Sequence, residues 1–340
     1  MIVPEATATL PDDAALPGLA VLHDRKRRID LLSPLLADWL GASYQLVECE
    51  VSLLSYLPAR RIVVLLDLVV TVGGTAEHRS VVAKLYAADQ DPAAVHATVQ
   101  ALQQHGFGSG SLCVPRSIGI AARYRMQLAE RAPGDVLRQL LVEGRTGPAA
   151  IQRAADWLLR LHTCGLGTGR VYTFERHLYT LGTWQARLAD ALPEAGRLFA
   201  EVLVDVDRRG RKLAGWQPAP THRDFSPDHL VLDGERVSGL DLDEFCQYDP
   251  LFDVAHFVAH LRLLGMLHFG ALHHFDRHAA HFEQSYAAHA PDCSVERVRL
   301  YLAIAELKLA FLCACVKRPS GWRQIAMTLL RSARSDCPGR

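Results

Sequence analysis

The most informative stretch of the chain is HRDFSPDHLVLDGERVSGLDLDEFCQYDPLFD, residues 222–253. It places one carboxylate, Asp224, in a polar loop, and a second, Asp241, after two apolar segments separated by a turn at Asp233-Gly234. A hairpin of this kind can bring both acids to one point, where one accepts a proton and the other holds a hard cation. The alternative is that the acids only support turns and cap helices, which aspartate does well.

Strand-like and helical patterns lie in different parts of the chain. Runs rich in Val, Ile and Leu predict strands over 48–56, 62–72, 80–86, 112–120 and 123–129. Apolar residues spaced three or four apart predict helices over 30–41, 91–105, 149–161, 174–192, 194–213 and from 253 onwards. Strands first and helices later, with a hairpin among the helices, indicate an α+β fold of two lobes. Residues 1–22, rich in Ala and Pro, are expected to form a loose arm.

The composition of the 340 residues argues against several classes of protein. The 37 basic residues balance the 37 acidic ones, which disfavours a nucleic-acid-binding protein. No apolar run reaches the roughly 18 residues that a membrane helix needs. The first residues lack the pattern of a signal peptide, so a cytoplasmic location is expected. The eight cysteines are scattered and are expected to be buried free thiols.

The segment 222–253 resembles the motifs of the aminoglycoside phosphotransferase and choline kinase-like family of small-molecule kinases, and its motifs occur in the family's order along the chain. The family pattern H-x-D-x-x-x-x-N corresponds to residues 222–229, with His229 in place of the Asn. The later D-x-[DE] and Asp-Pro elements correspond to residues 241–243 and 249–250. Weaker matches are the strand Val81-Val82-Ala83-Lys84, the hinge-like residues 127–134 and a helix ending in Leu-His at residues 157–162.

The resemblance, over residues 45–265, implies a two-lobed protein-kinase-like fold of the α+β class. A small β-rich lobe over 1–130 is expected to bind nucleotide, and a larger, mostly helical lobe over 131–340 to contain the catalytic loop and the substrate cleft. The implied activity is ATP-dependent transfer of the γ-phosphoryl group to a hydroxyl of an aminoglycoside-, sugar- or choline-like molecule. Only five residues separate Asp243 from Asp249, which leaves no room for a protein kinase's activation segment and favours a small acceptor.

The resemblance also assigns roles in the second lobe. Asp224 and Arg223 correspond to catalytic-loop residues, with Asp224 as the base that orients and deprotonates the acceptor hydroxyl. Asp241 is expected to hold Mg²⁺, with His229 and Asp243 as further candidate ligands; the alternative for Asp243 is that it orients Arg223. Since imidazole suits borderline metals better than Mg²⁺, His229 makes Mn²⁺ an alternative cofactor.

In the first lobe the resemblance implies a nucleotide site. Lys84 is expected to contact the phosphates of ATP, and the backbone near Leu128 and Glu130 to bind adenine. Two family features are missing: no Glu in the helix predicted over 91–105 can pair with the lysine, and no Gly-rich loop precedes it. The turn Pro58-Ala59-Arg60-Arg61 takes the place of that loop. Its arginines are expected to be solvated, with phosphate contact as the alternative.

These departures leave other functions open. With His229 in the metal site, the chain could be a catalytically impaired member that binds nucleotide or a small ligand without turnover. A more remote hypothesis is a zinc-dependent hydrolase using the seven histidines within residues 256–281. Of these, His274, His278 and His281 fall at i, i+4 and i+7, although a polar helix face is the favoured interpretation. The expected partners are a nucleotide and a small hydroxylated molecule, with no nucleic acid and no membrane.

Overall fold

The computed structural model describes residues 10–41, 43–167, 169–213, 215–290 and 292–337. The chain divides into two compact units, Met1–Pro133 and Gly134–Arg340. The first unit is mostly sheet and the second mostly helix, which is the α+β division that the sequence predicted. In the described parts of the chain, no helix is long and apolar enough to cross a membrane.

The first unit is built on an antiparallel sheet. Its helices and strands are, in chain order, α1 (Leu19–His23), α2 (Arg25–Leu40), β1 (Tyr44–Leu57), β2 (Arg61–Val72), β3 (Thr75–Tyr86), α3 (Pro92–Leu102), β4 (Leu112–Cys113), β5 (Ser117–Ala121) and β6 (Met126–Glu130). Five of the strands form one sheet in the order β1-β2-β3-β6-β5, and each neighbouring pair runs antiparallel. Strand β6 therefore lies between β3 and β5, so the predicted lysine strand and the hinge-like residues are neighbours.

The burial pattern of β2 explains why this sheet has one core face. Every second residue from Ile62 to Val70 is at most 1% exposed, which is the period of two expected of a strand with one buried face. Leu32 and Leu36 of α2 belong to the same apolar core. The helix and the sheet thus bury one continuous apolar surface, which is the main stabilising contribution in a unit of this kind.

The segment before α2 is packed rather than loose. Leu16, Leu19 and Leu22 are at most 2% exposed and belong to the core of the first unit. Residues 10–22 therefore differ from the loose arm expected over 1–22, while residues 1–9 lie outside the described residues. The reason is that each buried leucine contributes about 1.5–3 kcal/mol, which outweighs the Ala/Pro composition of the segment.

The second unit is mainly helical. Its elements are, in chain order, β7 (Asp135–Val136), α4 (Leu137–Val142), α5 (Pro148–Thr163), α6 (Phe174–Ala191), α7 (Pro193–Lys212), β8 (Ala219–Thr221), β9 (Leu230–Asp233), β10 (Arg236–Gly239), β11 (Cys246–Tyr248), α8 (Leu251–Phe269), α9 (Asp276–Ala287), α10 (Val295–Phe311) and α11 (Trp322–Asp336). Strand β8 pairs with β11, and β9 pairs with both β7 and β10, all antiparallel. These short strands lie on either side of the predicted catalytic loop and fix its two ends.

Strands β9 and β10 form the hairpin predicted between the two acids. Asp233 pairs with Arg236 around a turn in which Gly234 has a φ of 56°, a conformation that glycine adopts without steric cost. At the far end of β10, Gly239 lies against Trp157 of α5. A Cβ at this position would come within 2.0 Å of the indole ring, so only glycine lets the hairpin pack this closely on the helix.

Helices α8 and α10 form the core of the second unit. Buried residues make up 14 of the 19 positions of α8 and 13 of the 17 positions of α10, and a helix that is apolar nearly all round is a core helix. The two helices pack against each other. Because they are held by apolar contacts on most sides, the polar side chains that they carry are presented at fixed positions.

Candidate active site

The loop that follows β8 is held in place by a buried carboxylate, Asp253. Its Oδ2 accepts a hydrogen bond from the backbone N–H of His222 at 2.7 Å, and its Oδ1 accepts one from the N–H of Arg223 at 2.7 Å. His162 Nε2, at the end of α5, lies 3.1 Å from the same Oδ2. Asp249 and Asp253 lie just before and within the first turn of α8, where aspartate commonly caps a helix. Asp249 does accept from the N–H of Leu251 at 3.1 Å, whereas Asp253 binds the loop instead.

Arg223 takes a strained backbone conformation within this loop. Its φ is 65°, which is uncommon for a residue with a side chain and costs on the order of 1–3 kcal/mol. The bonds from Asp253 offset that cost. The guanidinium carbon lies 3.3 Å from the centroid of the Tyr172 ring, and Tyr248 is also nearby at 5.8 Å. The predicted catalytic residue Arg223 is thus placed over aromatic rings.

Asp224 lies between a lysine and two histidines that come from core helices. Its Oδ1 accepts a hydrogen bond from Lys308 Nζ at 2.7 Å and lies 3.6 Å from His256 Nε2. Its side chain is 31% exposed. Burial alone would raise the pKa of Asp224, but the Lys308 ammonium beside it holds that pKa well below its ordinary value. A carboxylate held in this way is in the ionised form that a general base requires.

His229 connects the loop to Asp241. Its Nδ1 lies 2.8 Å from the carbonyl oxygen of Asp224, so this nitrogen carries the proton and donates. In the neutral imidazole, the other nitrogen, Nε2, presents a lone pair 3.5 Å from Oδ2 of Asp241. Two electron-pair donors that face each other at this distance are stabilised by a cation between them. The histidine therefore forms the backbone hydrogen bond of the loop and also faces the predicted metal-binding carboxylate.

The other candidate metal ligand, Asp243, lies two residues beyond Asp241 and is half-buried. Its carbonyl oxygen accepts a hydrogen bond from Arg170 at 3.1 Å, and the neighbouring Glu244 pairs with the same guanidinium at 2.8 Å. Asp241 itself has a φ of 60°, which aspartate tolerates better than most residues. The Asp241 carboxylate and the His229 imidazole are donors that fit a divalent cation such as Mg²⁺ or Mn²⁺, but within the described residues Asp243 does not complete a group of three ligand atoms with them.

Sequence reasoning missed the residues that contact Asp224 from the core. Lys308 lies 84 residues beyond Asp224, and no motif in the loop sequence indicates that the two are in contact. The available signal was a lysine inside an apolar helix, since lysine is almost never fully buried without a partner. His256 and His260 are four residues apart on α8. Their positions on one side of a buried helix were the corresponding signal, but they were counted with the more exposed histidines that follow.

Those later histidines do not form the predicted helix face. His274 lies in the turn before α9 and stacks on Phe269 with 3.8 Å between ring centroids, whereas His278 and His281 lie within α9. Among the described residues, the one group with three potential ligand atoms within 4.8 Å of one another is Asp224, His256 and His260. The remote zinc-site hypothesis on His274, His278 and His281 is therefore not realised in the described chain.

The predicted nucleotide-site residues lie together in the sheet of the first unit. Lys84 on β3 is opposite Gln127 on β6, and its Nζ lies 5.5 Å from the Tyr86 ring. Leu128 is fully buried beside Ala83 on the neighbouring strand. Glu130 uses its Oε1 to accept from the Trp39 indole at 2.6 Å and its N–H to donate to the Arg116 carbonyl at 2.9 Å.

The turn before β2 has the hairpin position that the sequence predicted. Ala59 takes a φ of 56°, and its N–H donates to Asp13 Oδ2 at 2.7 Å. Arg60 Nη2 lies 3.9 Å from Asp89 Oδ2, with both side chains 61% exposed. An exposed pair at this distance contributes little to stability, which agrees with a solvated turn. All eight cysteines are free thiols, five of them buried, as predicted.

One family model matches most of this chain. It is described as a phosphotransferase enzyme family, APH, and it covers residues 67–282, from the middle of β2 to the middle of α9. The matched segment contains every predicted site residue of both units. None of the curated proteins matches the chain.

Solved structures with low sequence identity share the fold. A thermostable mutant of aminoglycoside phosphotransferase APH(4)-Ia, in a ternary complex with ADP and hygromycin B, is 16% identical, with a TM-score of 0.61 over 91% of this chain and 99% of its own. A choline/ethanolamine kinase family protein from Mesorhizobium loti is 14% identical, with a TM-score of 0.58 over 90% and 91% of the two chains. An ethanolamine kinase from Plasmodium vivax is 14% identical, with 0.57 over 85% and 84%. These likenesses confirm the predicted two-lobed, protein-kinase-like fold.

Proposed function

The chain belongs to the phosphotransferase enzyme family, and we propose that it is a kinase that transfers the γ-phosphoryl group of ATP to a hydroxyl of a small molecule. The observation that carries this proposal is the arrangement of Asp224 and Asp241 at the two ends of one hairpin, connected by His229. Phosphoryl transfer requires positioned groups and charge neutralisation rather than a covalent intermediate, and this arrangement supplies both.

In the proposed reaction, Asp224 acts as the base. Its carboxylate accepts the proton of the acceptor hydroxyl while the hydroxyl oxygen bonds to the γ-phosphorus. The bond between that phosphorus and the β–γ bridging oxygen breaks, which gives ADP and a phosphomonoester. The low pKa of Asp224 keeps the base ionised, and the bonds from Asp253 hold the backbone of its loop. Arg223 directly precedes the base, and its backbone N–H donates to Asp253, so it helps to hold the loop that positions Asp224.

A divalent cation is expected at Asp241 and His229, with Asp243 as a further ligand. Such a cation supplies positive charge that neutralises the phosphates of the nucleotide. The protein's part is to orient these ligands. The hydrogen bond from His229 Nδ1 to the carbonyl of Asp224 fixes the tautomer that leaves Nε2 as an electron-pair donor. We propose Mg²⁺ or Mn²⁺, with the imidazole favouring Mn²⁺.

We assign nucleotide binding to residues 1–130 and acceptor binding to residues 131–340. Lys84 is proposed to contact the phosphates of ATP, in keeping with the ADP bound to the aminoglycoside phosphotransferase of similar fold. Because the N–H of Glu130 is already bonded to Arg116, the adenine contacts fall to other backbone groups near Leu128 and Glu130. The free thiols agree with a reducing compartment, and we propose a cytoplasmic location.

The acceptor is proposed to be small, because the chain passes directly from Asp241 through β11 into α8. A protein kinase has a long activation segment at this point. Aminoglycoside-like, sugar-like and choline-like alcohols are the candidates.

The test is turnover with ATP, Mg²⁺ or Mn²⁺ and a panel of aminoglycosides, sugars and amino alcohols, followed by phosphorus NMR for a new phosphomonoester. At least one acceptor should be phosphorylated. The Asp241→Ala variant should lose metal-dependent nucleotide binding by calorimetry, whereas Asp190→Ala, which removes an exposed acid of α6, should not. The kinase proposal fails if no panel member is phosphorylated and the parent protein shows no ATP affinity.

His229 in place of the family's Asn favours a second candidate function. An impaired member would bind nucleotide and cation through Lys84 and Asp241 but would transfer phosphate to no acceptor. Calorimetric ATP binding without any phosphomonoester or released phosphate, in Mg²⁺ and in Mn²⁺, would select this alternative.

A further inference from the structure

We propose that Lys308 is the positioning residue of the transfer reaction: its ammonium group takes the place of a cation among Asp224, His256 and His260 and holds the Asp224 carboxylate in one orientation. The catalytic part of this inference rests on the proposed function. The other part, that the ammonium occupies the cluster of Asp224, His256 and His260, does not rest on the proposed function and can be measured without turnover.

The first observation is geometric. The ligand atoms of Asp224, His256 and His260 lie within 4.8 Å of one another, which is the spacing of a metal site. Lys308 Nζ lies 2.7 Å from Asp224 Oδ1 and 3.0 Å from His256 Nε2. A positive charge therefore already sits at hydrogen-bond distance from two of the three groups, and a metal ion would have to displace it.

The second observation is the protonation of the histidine. His256 Nδ1 lies 2.9 Å from the carbonyl oxygen of Phe225, which can only accept, so Nδ1 carries the proton. Nε2 then has a lone pair, and it faces the ammonium of Lys308, which can only donate. The imidazole is neutral in this arrangement, and burial lowers the pKa of His256 to about 3, in agreement. Of Lys308 and His256, only the lysine can neutralise Asp224.

The third observation concerns the two oxygens of the Asp224 carboxylate. Oδ1 is held by Lys308, while Oδ2 lies on the side of His229, 3.8 Å from Nδ1. Lys308 is fixed because its helix, α10, is packed on most sides and its neighbours Leu307 and Leu309 are buried. With one oxygen bound to a rigid element, the other is presented in a constant direction. We assign proton acceptance from the acceptor hydroxyl to Oδ2.

The catalytic test compares Lys308→Ala with Lys317→Ala, which removes an exposed lysine near the end of the same helical region. Lys308→Ala should lower kcat by about 10²-fold while the KM for ATP stays within about twofold, since the lost interaction positions the base rather than the nucleotide. Added methylammonium or ethylammonium should restore part of kcat by filling the vacated position. The control should keep the parent kcat. An unchanged kcat in Lys308→Ala would overturn the proposal.

The second test uses Co²⁺ alone and needs no substrate. If the ammonium occupies a cation position, Lys308→Ala should bind one Co²⁺ more than the parent, with a new visible absorption band, and Lys308→Ala/His256→Gln should lose that band. A folded Lys308→Ala that binds no additional Co²⁺ would overturn the occupation of the cluster. If Lys308→Ala does not fold, Lys308→Gln keeps most of the length without the charge and should show the same loss of kcat. A parent protein with neither turnover nor ATP affinity would defeat the proposed function, but the Co²⁺ result would still decide whether the ammonium occupies the cluster.

Discussion

Glu306 and Lys308 lie two positions apart on helix α10 and belong to different ion clusters. Lys308 pairs with Asp224 in the candidate active site. Glu306, fully buried, pairs at 2.8 Å with Arg262, which also binds Asp336 of α11. The acid of the first cluster is 31% exposed, whereas Glu306 of the second is fully buried and its partners Arg262 and Asp336 are 17% and 20% exposed. A buried charge alone therefore does not identify a site. The site cluster is the one whose acid lies in a strained polar loop.

The largest expected effect is on turnover, from the site cluster. Asp224→Asn should lower kcat by about 10²–10⁴-fold, because the amide cannot accept the hydroxyl proton, and should leave nucleotide affinity nearly unchanged. Steady-state kinetics with the acceptor found in the panel measures this. The matched control is Asp228→Asn in the same loop, whose carboxylate pairs with Arg138 at 2.8 Å and which should keep most of the activity. An equal loss of kcat in Asp224→Asn and Asp228→Asn would show that Asp224 has no special role as the base.

The second cluster should respond in stability instead. Arg262→Met leaves Glu306 and Asp336 without their shared cation, and breaking a buried pair in this way costs about 3–5 kcal/mol. Urea unfolding should show this loss, while kcat of the folded protein stays within about twofold of the parent. Lys308→Ala should give the reverse pattern, with turnover falling more than stability. A large fall of kcat in Arg262→Met would contradict the separation of the two clusters.

The pH dependence of stability should also follow the second cluster. Burial raises the pKa of Glu306 to about 7, because two acids share one arginine and the more buried acid retains a proton. Because the pKa of Glu306 is higher in the folded than in the unfolded protein, this carboxyl contributes fully to stability below its unfolded-state pKa of about 4.5. That contribution is lost as the pH rises through 7. Glu306→Gln should therefore flatten the fall in unfolding free energy between pH 5 and 8. An identical slope in the parent and the variant, by urea unfolding at several pH values, would refute this assignment.

The smallest expected effect concerns the metal preference of the site. Imidazole is a better ligand for Mn²⁺ than for Mg²⁺, so the parent should turn over a few-fold faster with Mn²⁺ at equal concentration. His229→Asn supplies an oxygen ligand and should shift the preference toward Mg²⁺. Because Asn lacks the ring, the variant also tests whether the bond from Nδ1 to the Asp224 carbonyl is needed. The same metal ratio in both proteins would mean that His229 only supports the loop.

Much of the fold could be predicted because its signals are local. The alternating apolar residues of β2 and the turn at Asp233-Gly234 each fix a strand arrangement over a few residues. The loose arm was predicted from the Ala/Pro composition, but Leu16, Leu19 and Leu22 are buried and hold this segment against the core of the first unit. The predicted helix face of the later histidines failed because α9 begins only at Asp276, after a turn that composition did not reveal.

The candidate site was predictable only where it follows the order of the chain. The sequence gives Asp224, His229 and Asp241 as one pattern because a single hairpin connects them. Lys308 could not be found in this way, since its contact with Asp224 depends on how α10 packs against α8, 84 residues later. The role of Asp253 was hidden for the same reason: a helix-capping position and a loop-binding position look alike in the sequence.

The pairing of the loop acids has a consequence for how an acceptor reaches the site. Asp224 and Asp228 each lie within hydrogen-bonding distance of a cation of the same unit, Lys308 at 2.7 Å and Arg138 at 2.8 Å. Their fields largely cancel a few ångströms away, so the two acids exert little long-range attraction on a polycation. These two acids should therefore add little ionic-strength dependence to the encounter of a positively charged acceptor with this loop. Under the proposed function, these two acids would not favour a positively charged acceptor during its approach, and any discrimination by the loop would come after contact, through shape and hydrogen bonds.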